Sequence, residues 1–92
     1  MVVDLHIQHI AKGYKSFSPS DTLVYQIDYF VLTLNKYRRA KGKSIDFVHG
    51  VGKGVLRAEL IKVLDSKFPS FEYQDAPFST YGYQGAIRVT IR

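Results

Sequence analysis

The pattern of apolar residues predicts an α/β (α+β) two-layer sandwich, in which a four-stranded mixed sheet carries two helices packed on one face. Two long segments repeat apolar residues at helical spacing, and the shorter segments around them alternate or are rich in β-branched residues. Their order along the chain is β-α-β-α-β-β. Because a helix joins the first two strands, these strands are expected to be parallel. The 92 residues suffice for a single domain, 1–92, and not for a second one.

The first strand is predicted over residues 1–7, where apolar and polar side chains alternate. Its polar face carries Asp4 and His6. Residues 8–20 contain glycine, proline and serine, and they are interpreted as a long connection.

The first helix is predicted over residues 21–41, with Ser20 or Asp21 as its N-cap. Gly42 stands where a left-handed C-terminal cap is expected. A stripe of apolar residues at helical spacing supports this helix: Leu23, Val24, Ile27, Phe30, Val31, Leu34 and Tyr37.

The second half of the chain supplies three strands and a helix. The second strand is predicted at 44–48 and the second helix at 55–68, which ends before a proline. The third strand is predicted at 71–77, and a glycine turn then leads into a fourth strand at 86–92.

Composition limits the chemistry that the chain can perform. It has no cysteine, which excludes disulfides, thiolate nucleophiles and cysteine-based zinc sites. No apolar run approaches the length of a membrane span, so we expect a cytoplasmic protein that does not enter the membrane. The histidines and carboxylates show no metal-ligand spacing.

The net charge of +5 is concentrated in the middle of the chain. Between positions 36 and 57 the sequence contains seven basic residues and only one acidic residue. One interpretation is a solvated helix end followed by a loop, and the other is a surface that contacts a phosphate backbone. The basic residues are Lys36, Arg38, Arg39, Lys41, Lys43, Lys53 and Arg57.

Residues 50–54, Gly-Val-Gly-Lys-Gly, follow the second strand and precede the second helix. Such a turn exposes backbone N–H groups beside the positive end of a helix dipole, where an anion is stabilised. The glycine spacing fits neither a dinucleotide-binding motif nor a P-loop. Arg57 lies in the first turn of the helix, where a cation is disfavoured unless an anion is near.

Three side chains are expected to meet at this edge of the sheet. Parallel strands end on the same edge, which brings Asp4 and His6 close to His49 and to the glycine turn. A histidine beside an anion site can act as a general acid or base on a phosphodiester. The alternative is structural, with the aspartate orienting an exposed imidazole and His49 supporting the turn.

Three blocks of the sequence closely resemble the Smr (small MutS-related) domain. They are Val-Asp-Leu-His at 3–6, the His-Gly-x-Gly-x-Gly-x-Leu-Arg pattern within 47–57, and the glycine turn and strand at 81–89. Ile7 stands where the family's first motif has glycine, and Ile87 where the family usually has threonine. Because such domains often sit at the end of larger proteins, we expect this chain to be an excised module.

The resemblance implies a domain that binds DNA or RNA and that, in several members, cleaves it as an endonuclease. It assigns Asp4 and His6 to the catalytic pair of the first motif. The second motif, with His49 as a further catalytic residue, supplies the phosphate site. The resemblance implies that Gly50, Gly52 and Gly54 contact the phosphate, with Lys53 and Arg57 as basic contacts. The charge pattern adds candidate contacts to nucleic acid at Lys36, Arg38, Arg39, Lys41 and Lys43, and Arg88 is a further candidate.

Three functions stay open on the sequence: an endonuclease, a nucleic-acid-binding module without catalysis, and a basic surface that docks an acidic protein partner. The sequence itself requires no cofactor, and a divalent metal, Mg²⁺ or Mn²⁺, is compatible with the implied cleavage. It does not define the oligomeric state.

Overall fold

A computed structural model describes residues 1–50, 53–82 and 85–92 and confirms the four-stranded mixed sheet. The strand order is β1-β2-β4-β3, with β1 parallel to β2 and the other pairs antiparallel. The elements are β1 (Val2–Asp4), α1 (Ile7–Ile10), α2 (Pro19–Tyr37), β2 (Ser44–Val48), α3 (Val55–Lys67), β3 (Glu72–Asp75), α4 (Phe78–Tyr81) and β4 (Ala86–Thr90), with a 3₁₀ turn at Tyr14–Ser16.

The first strand is shorter than predicted and ends at Asp4. The carboxylate of Asp4 accepts a hydrogen bond of 2.9 Å from the backbone N–H of His6, which turns the chain out of the extended conformation. Ile7 then begins α1, so the prediction of a strand over 1–7 is wrong for its last three residues. The predicted connection therefore contains a short helix.

The long helix α2 begins earlier than predicted because its cap is Ser18. The hydroxyl of Ser18 accepts a hydrogen bond of 3.0 Å from the backbone N–H of Asp21, and the Asp21 carboxylate accepts one of 3.2 Å from the N–H of Ser18. This capping box, with Pro19 at the first helical position, fixes the start of the helix. The prediction of Ser20 or Asp21 as the cap is wrong.

The far end of α2 and the last two strands are also shorter than predicted. The helix ends at Tyr37, whose carbonyl accepts a hydrogen bond from the N–H of Ala40 in a turn. Gly42 has a left-handed φ of 88°, but it lies beyond this turn and does not cap the helix directly. Strands β3 and β4 end at Asp75 and Thr90.

The core lies between the sheet and the two long helices. Alternate residues of β2 and β4 point into it, and they meet the apolar sides of α2 and α3 in one continuous cluster. Both helices therefore pack on the same face of the sheet, as predicted. The residues that meet there are Ile45, Phe47, Ile87 and Val89 of the strands with Phe30, Leu34, Leu60 and Leu64 of the helices, all at most 1% exposed.

The opposite face of the sheet is free of the two long helices and carries polar pairs. Asp46 and Arg88 are direct neighbours in the β2–β4 register, and Ser44 and Thr90 form a hydrogen bond of 3.1 Å across the same strands. Among the described residues, no helix has the length and apolar character needed to cross a membrane.

Candidate functional site

Asp4 and His6 form a hydrogen-bonded pair at the end of β1. The imidazole Nδ1 of His6 lies 2.6 Å from Oδ1 of Asp4. An ionised carboxylate can only accept a hydrogen bond, so Nδ1 carries the proton and Nε2 is the ring nitrogen left for a substrate. Burial alone would raise the pKa of Asp4, but the hydrogen bonds from the backbone and side chain of His6 outweigh it and lower that pKa. The carboxylate is thus ionised and orients the ring.

The ring of His6 lies directly against Gly50, which follows the end of β2. A Cβ atom at Gly50 would stand 2.8 Å from Nε2 of His6, and the backbone there has a left-handed φ of 81°. Both facts require glycine at this position. The structure therefore brings the first and second sequence motifs together, with Nε2 of His6 at the turn.

His49 presents a second imidazole nitrogen at the same turn. Its Nδ1 lies 3.0 Å from the carbonyl oxygen of Gly50 and must donate to it, which leaves a lone pair on Nε2 in the neutral ring. Nε2 is buried and has no hydrogen-bond partner in the described part of the chain. Burial lowers the pKa of His49, with the nearby Arg57 cation lowering it further, while the Gly50 carbonyl and Asp75 act in the opposite direction. The neutral form of His49 is therefore favoured, with its lone pair on the buried Nε2.

The N–H groups at the start of the glycine turn are already occupied. The backbone N–H groups of His49 and Gly50 both donate to the carbonyl of Gly85, each at 3.0 Å. The expectation that Gly50 offers a free N–H to a phosphate is wrong, because these two bonds attach the turn to the segment before β4. Gly52, the second glycine of the motif, lies outside the described residues.

An anion can still be stabilised at the start of α3. Gly54 is the N-cap of α3 and provides no side-chain hydrogen bond to it, and the first N–H groups of a helix have no partner within the helix. A cavity of about 200 Å³ opens at this point. It is lined by His49, Gly50, Lys53 and Gly54 together with the first helical residues Val55, Leu56 and Arg57. We call this space the phosphate cavity, after the anion that the sequence predicts there.

Arg57 lines the phosphate cavity but is engaged by a carboxylate of the chain itself. Its Nη2 and Nε donate to Oδ1 of Asp75 at 2.9 and 3.2 Å. Asp75, at the end of β3, is therefore the anion that offsets the unfavourable position of a cation in the first turn of α3. The role of Arg57 as a phosphate contact stays a prediction, and it would require this pair to be shared or opened.

The basic residues between 36 and 43 lie at the other end of β2. The four steps between the five residues of this strand, at roughly 3.3 Å each, place its two ends about 13 Å apart. Lys36 and Lys43 each hold their ammonium group 5.4 Å from the ring centre of Tyr37, and Arg38 lies 5.7 Å from that of Phe68. This second basic region, Lys36, Arg38, Arg39, Lys41 and Lys43, is not part of the phosphate cavity.

Arg88 also lies away from the phosphate cavity, on the face of the sheet opposite the two long helices. It pairs with the carboxylate of Asp46 through two hydrogen bonds of 2.7 and 3.0 Å. Asp46 is only 7% exposed, so this bidentate pair has a structural role. Its predicted contact with nucleic acid receives no support from the position of the phosphate cavity.

Sequence reasoning missed His9 and Asp75. His9, on α1, places Nε2 3.7 Å from Oδ2 of Asp4. Its spacing of three residues from His6 would have suggested this neighbourhood if the helix had been recognised. For Asp75 no local signal exists, because its partner lies 18 residues earlier in the chain.

Within residues 1–50, 53–82 and 85–92, no three histidine, aspartate or glutamate side chains are grouped so that they could hold a metal ion. Compared with protein-family models, with curated proteins and with solved structures, the chain matches none of them. The resemblance to the Smr domain therefore stays a prediction from the three motifs.

Proposed function

We propose that the chain is an Smr-like domain that binds DNA or RNA with a backbone phosphate in the phosphate cavity. The observation that carries this proposal is the contact of His6 with Gly50, because it joins an aspartate–histidine pair to a cavity at the start of a helix. Lys53 adds a cation to the same cavity. Phosphate oxygens are stabilised by this combination of a helix N-terminus and a lysine.

The same geometry supports cleavage of a phosphodiester as the chemistry of the site. Once substrate binding uncovers its buried Nε2, neutral His49 takes a proton from the attacking water or 2′-hydroxyl, and the attacking oxygen then bonds to phosphorus. His6, whose ring is oriented by Asp4, gives a proton from Nε2 in its protonated form to the oxygen that leaves. Lys53 and the N–H groups at the start of α3 stabilise the additional negative charge of the transition state.

Binding without cleavage is the second candidate function. It is favoured by the pair between Arg57 and Asp75, which neutralises one of the two cations that line the phosphate cavity. Charge stabilisation then depends mainly on Lys53. Such a site can hold a substrate, but its cleavage is slow because a single cation stabilises the charge of the transition state.

One experiment separates the two candidates. Labelled single-stranded RNA, single-stranded DNA and nicked duplex DNA are incubated with the wild type, Asp4→Asn and His49→Gln, with Mg²⁺, with Mn²⁺ and with a chelator. Asp28→Asn is the matched control, because this aspartate is exposed on α2 away from the cavity. An endonuclease loses cleavage in the first two variants and keeps it in the control.

The result is interpreted together with the affinity for the same strands. Binding in all variants without cleavage by the wild type assigns the domain to the second candidate. Absence of binding, or equal cleavage by the wild type and both site variants, contradicts the proposal. The chelator arm reports whether a divalent metal takes part.

A further inference from the structure

A second, larger depression lies beside the phosphate cavity, between the first turns of α2 and α3. It has a volume of about 440 Å³, within the range of roughly 300–1,000 Å³ typical of ligand pockets. Aliphatic side chains form most of its walls, and one amide side chain borders it. We call it the apolar groove, and its main lining residues are Pro19, Thr22, Leu23 and Gln26 of α2 with Val55 and Leu56 of α3.

The apolar groove adjoins the phosphate cavity. Val55 and Leu56 line both spaces, so one side of the first turn of α3 borders the apolar groove and the other borders the cavity that contains His49 and Lys53. A ligand that has an anionic group in the cavity can thus place an adjoining apolar group in the groove by passing over these two side chains. A nucleotide combines these two groups, because one sugar joins its anionic phosphate to its flat base.

We propose that the apolar groove holds an unpaired nucleobase of the strand whose phosphate occupies the phosphate cavity. This inference depends on the proposed function and adds a substrate class to it, namely single-stranded or locally unpaired nucleic acid. In a duplex both faces of each base are stacked on neighbours, so a base must leave the stack before apolar side chains can cover it. Val55 is 56% exposed, which is apolar surface that a base would cover.

Gln26 gives the apolar groove a polar contact of fixed orientation. Its Nε2 donates a hydrogen bond of 2.9 Å to the carbonyl of Leu5. The amide nitrogen is therefore held at the backbone, and Oε1 is the acceptor that a base N–H can use. Because Leu5 lies between Asp4 and His6 in the sequence, the same bond attaches the groove to the catalytic pair.

The test compares a groove variant with a matched control on strands with and without bases. Val55→Ser removes apolar contact surface from the groove, and Val24→Ser removes the same group from an α2 position of 57% exposure that does not line it. The ligands are octamers of thymidine, of uridine and of abasic nucleotides, which carry equal numbers of phosphates. Affinity is measured by fluorescence anisotropy at one fixed salt concentration, and urea unfolding of each variant checks that it is folded.

We expect the base-bearing octamers to bind the wild type more tightly than the abasic octamer. Because Val55 lines both spaces, the quantity to compare is the ratio of base-bearing to abasic affinity, in which any change at the cavity cancels. Val55→Ser is expected to lower this ratio about fivefold through the lost base contact. Val24→Ser should change neither affinity. An effect on only one of the two base-bearing strands also supports the groove and assigns its preference to that nucleotide.

Two results would overturn the inference, and they differ in what they say about the proposed function. If abasic and base-bearing octamers bind equally and Val55→Ser behaves as Val24→Ser does, the groove holds no base, although the phosphate site stands. If no octamer binds the wild type, the proposed function is wrong and the inference is lost with it.

Discussion

Replacing Gly50 by alanine tests the contact on which the site is built. The new methyl group would stand 2.8 Å from Nε2 of His6 at a backbone φ of 81°. Gly42 is the matched control, because it has a similar φ of 88° and a Cβ there would meet nothing within 4 Å. Gly42→Ala therefore reports backbone strain alone, whereas Gly50→Ala adds a steric conflict with the imidazole.

The magnitude follows from these distances. A left-handed alanine costs about 1–2 kcal/mol of folding free energy in either variant. Ordinary contact begins at 3.4 Å, so the ring of His6 has to move by about 0.6 Å, which disturbs its bond of 2.6 Å to Asp4. Both side chains are more than a third exposed, and losing this pair should cost only about 0.5–1 kcal/mol beyond the strain.

The functional loss should be larger than the loss of stability. A displacement approaching 1 Å in a catalytic group can lower a rate by about 10²-fold, so cleavage should fall about 10- to 100-fold in Gly50→Ala and stay near wild type in Gly42→Ala. Urea unfolding gives the stabilities, and the NMR signals of the His6 ring report its movement. Equal destabilisation of both variants with unchanged His6 signals would refute the reasoning.

Three further perturbations test the electrostatic parts of the account. Asp75→Asn should release Arg57 and strengthen binding of a single strand several-fold. The salt dependence of the affinity should become steeper by about one phosphate contact. An unchanged affinity with an unchanged salt dependence would count against the availability of Arg57 to a phosphate. The ring of His49, followed by NMR, should titrate below the ordinary histidine pKa. Because the folded state favours the neutral ring, the free energy of unfolding should rise with pH just below about 6.5. This rise should be lost in His49→Gln. Asp46→Ala should cost about 1–3 kcal/mol in urea unfolding, because it removes a buried carboxylate from Arg88, and a cost near zero would contradict the structural role of this pair.

The sequence predicted the sheet and both long helices because apolar periodicity reports which side of an element is buried. In a two-layer domain, the alternation in β4 and the helical stripe of α2 each allow only one orientation, in which the apolar residues face the core. The end of β1 was missed for a local reason: the hydrogen bond from His6 to Asp4 bends the chain where alternation continues through Ile7. Periodicity does not detect a side chain that caps its own backbone.

The candidate site was predicted only as far as topology determines it. A βαβ unit places the ends of its parallel strands at one edge, so the approach of His6 to Gly50 follows from the order of the elements. The partner of Arg57 could not be predicted, because Asp75 reaches it from β3 through tertiary packing. The use of the Gly50 N–H by Gly85 depends on the same long-range packing.

The most direct test of the central claim is the mapping of a bound single strand by backbone NMR of the wild-type protein. During titration with the thymidine octamer, we predict that the largest shift changes occur at His6, Gly50, Lys53 and the first turn of α3. Changes confined to the second basic region between 36 and 43, with none at the phosphate cavity, would contradict the account.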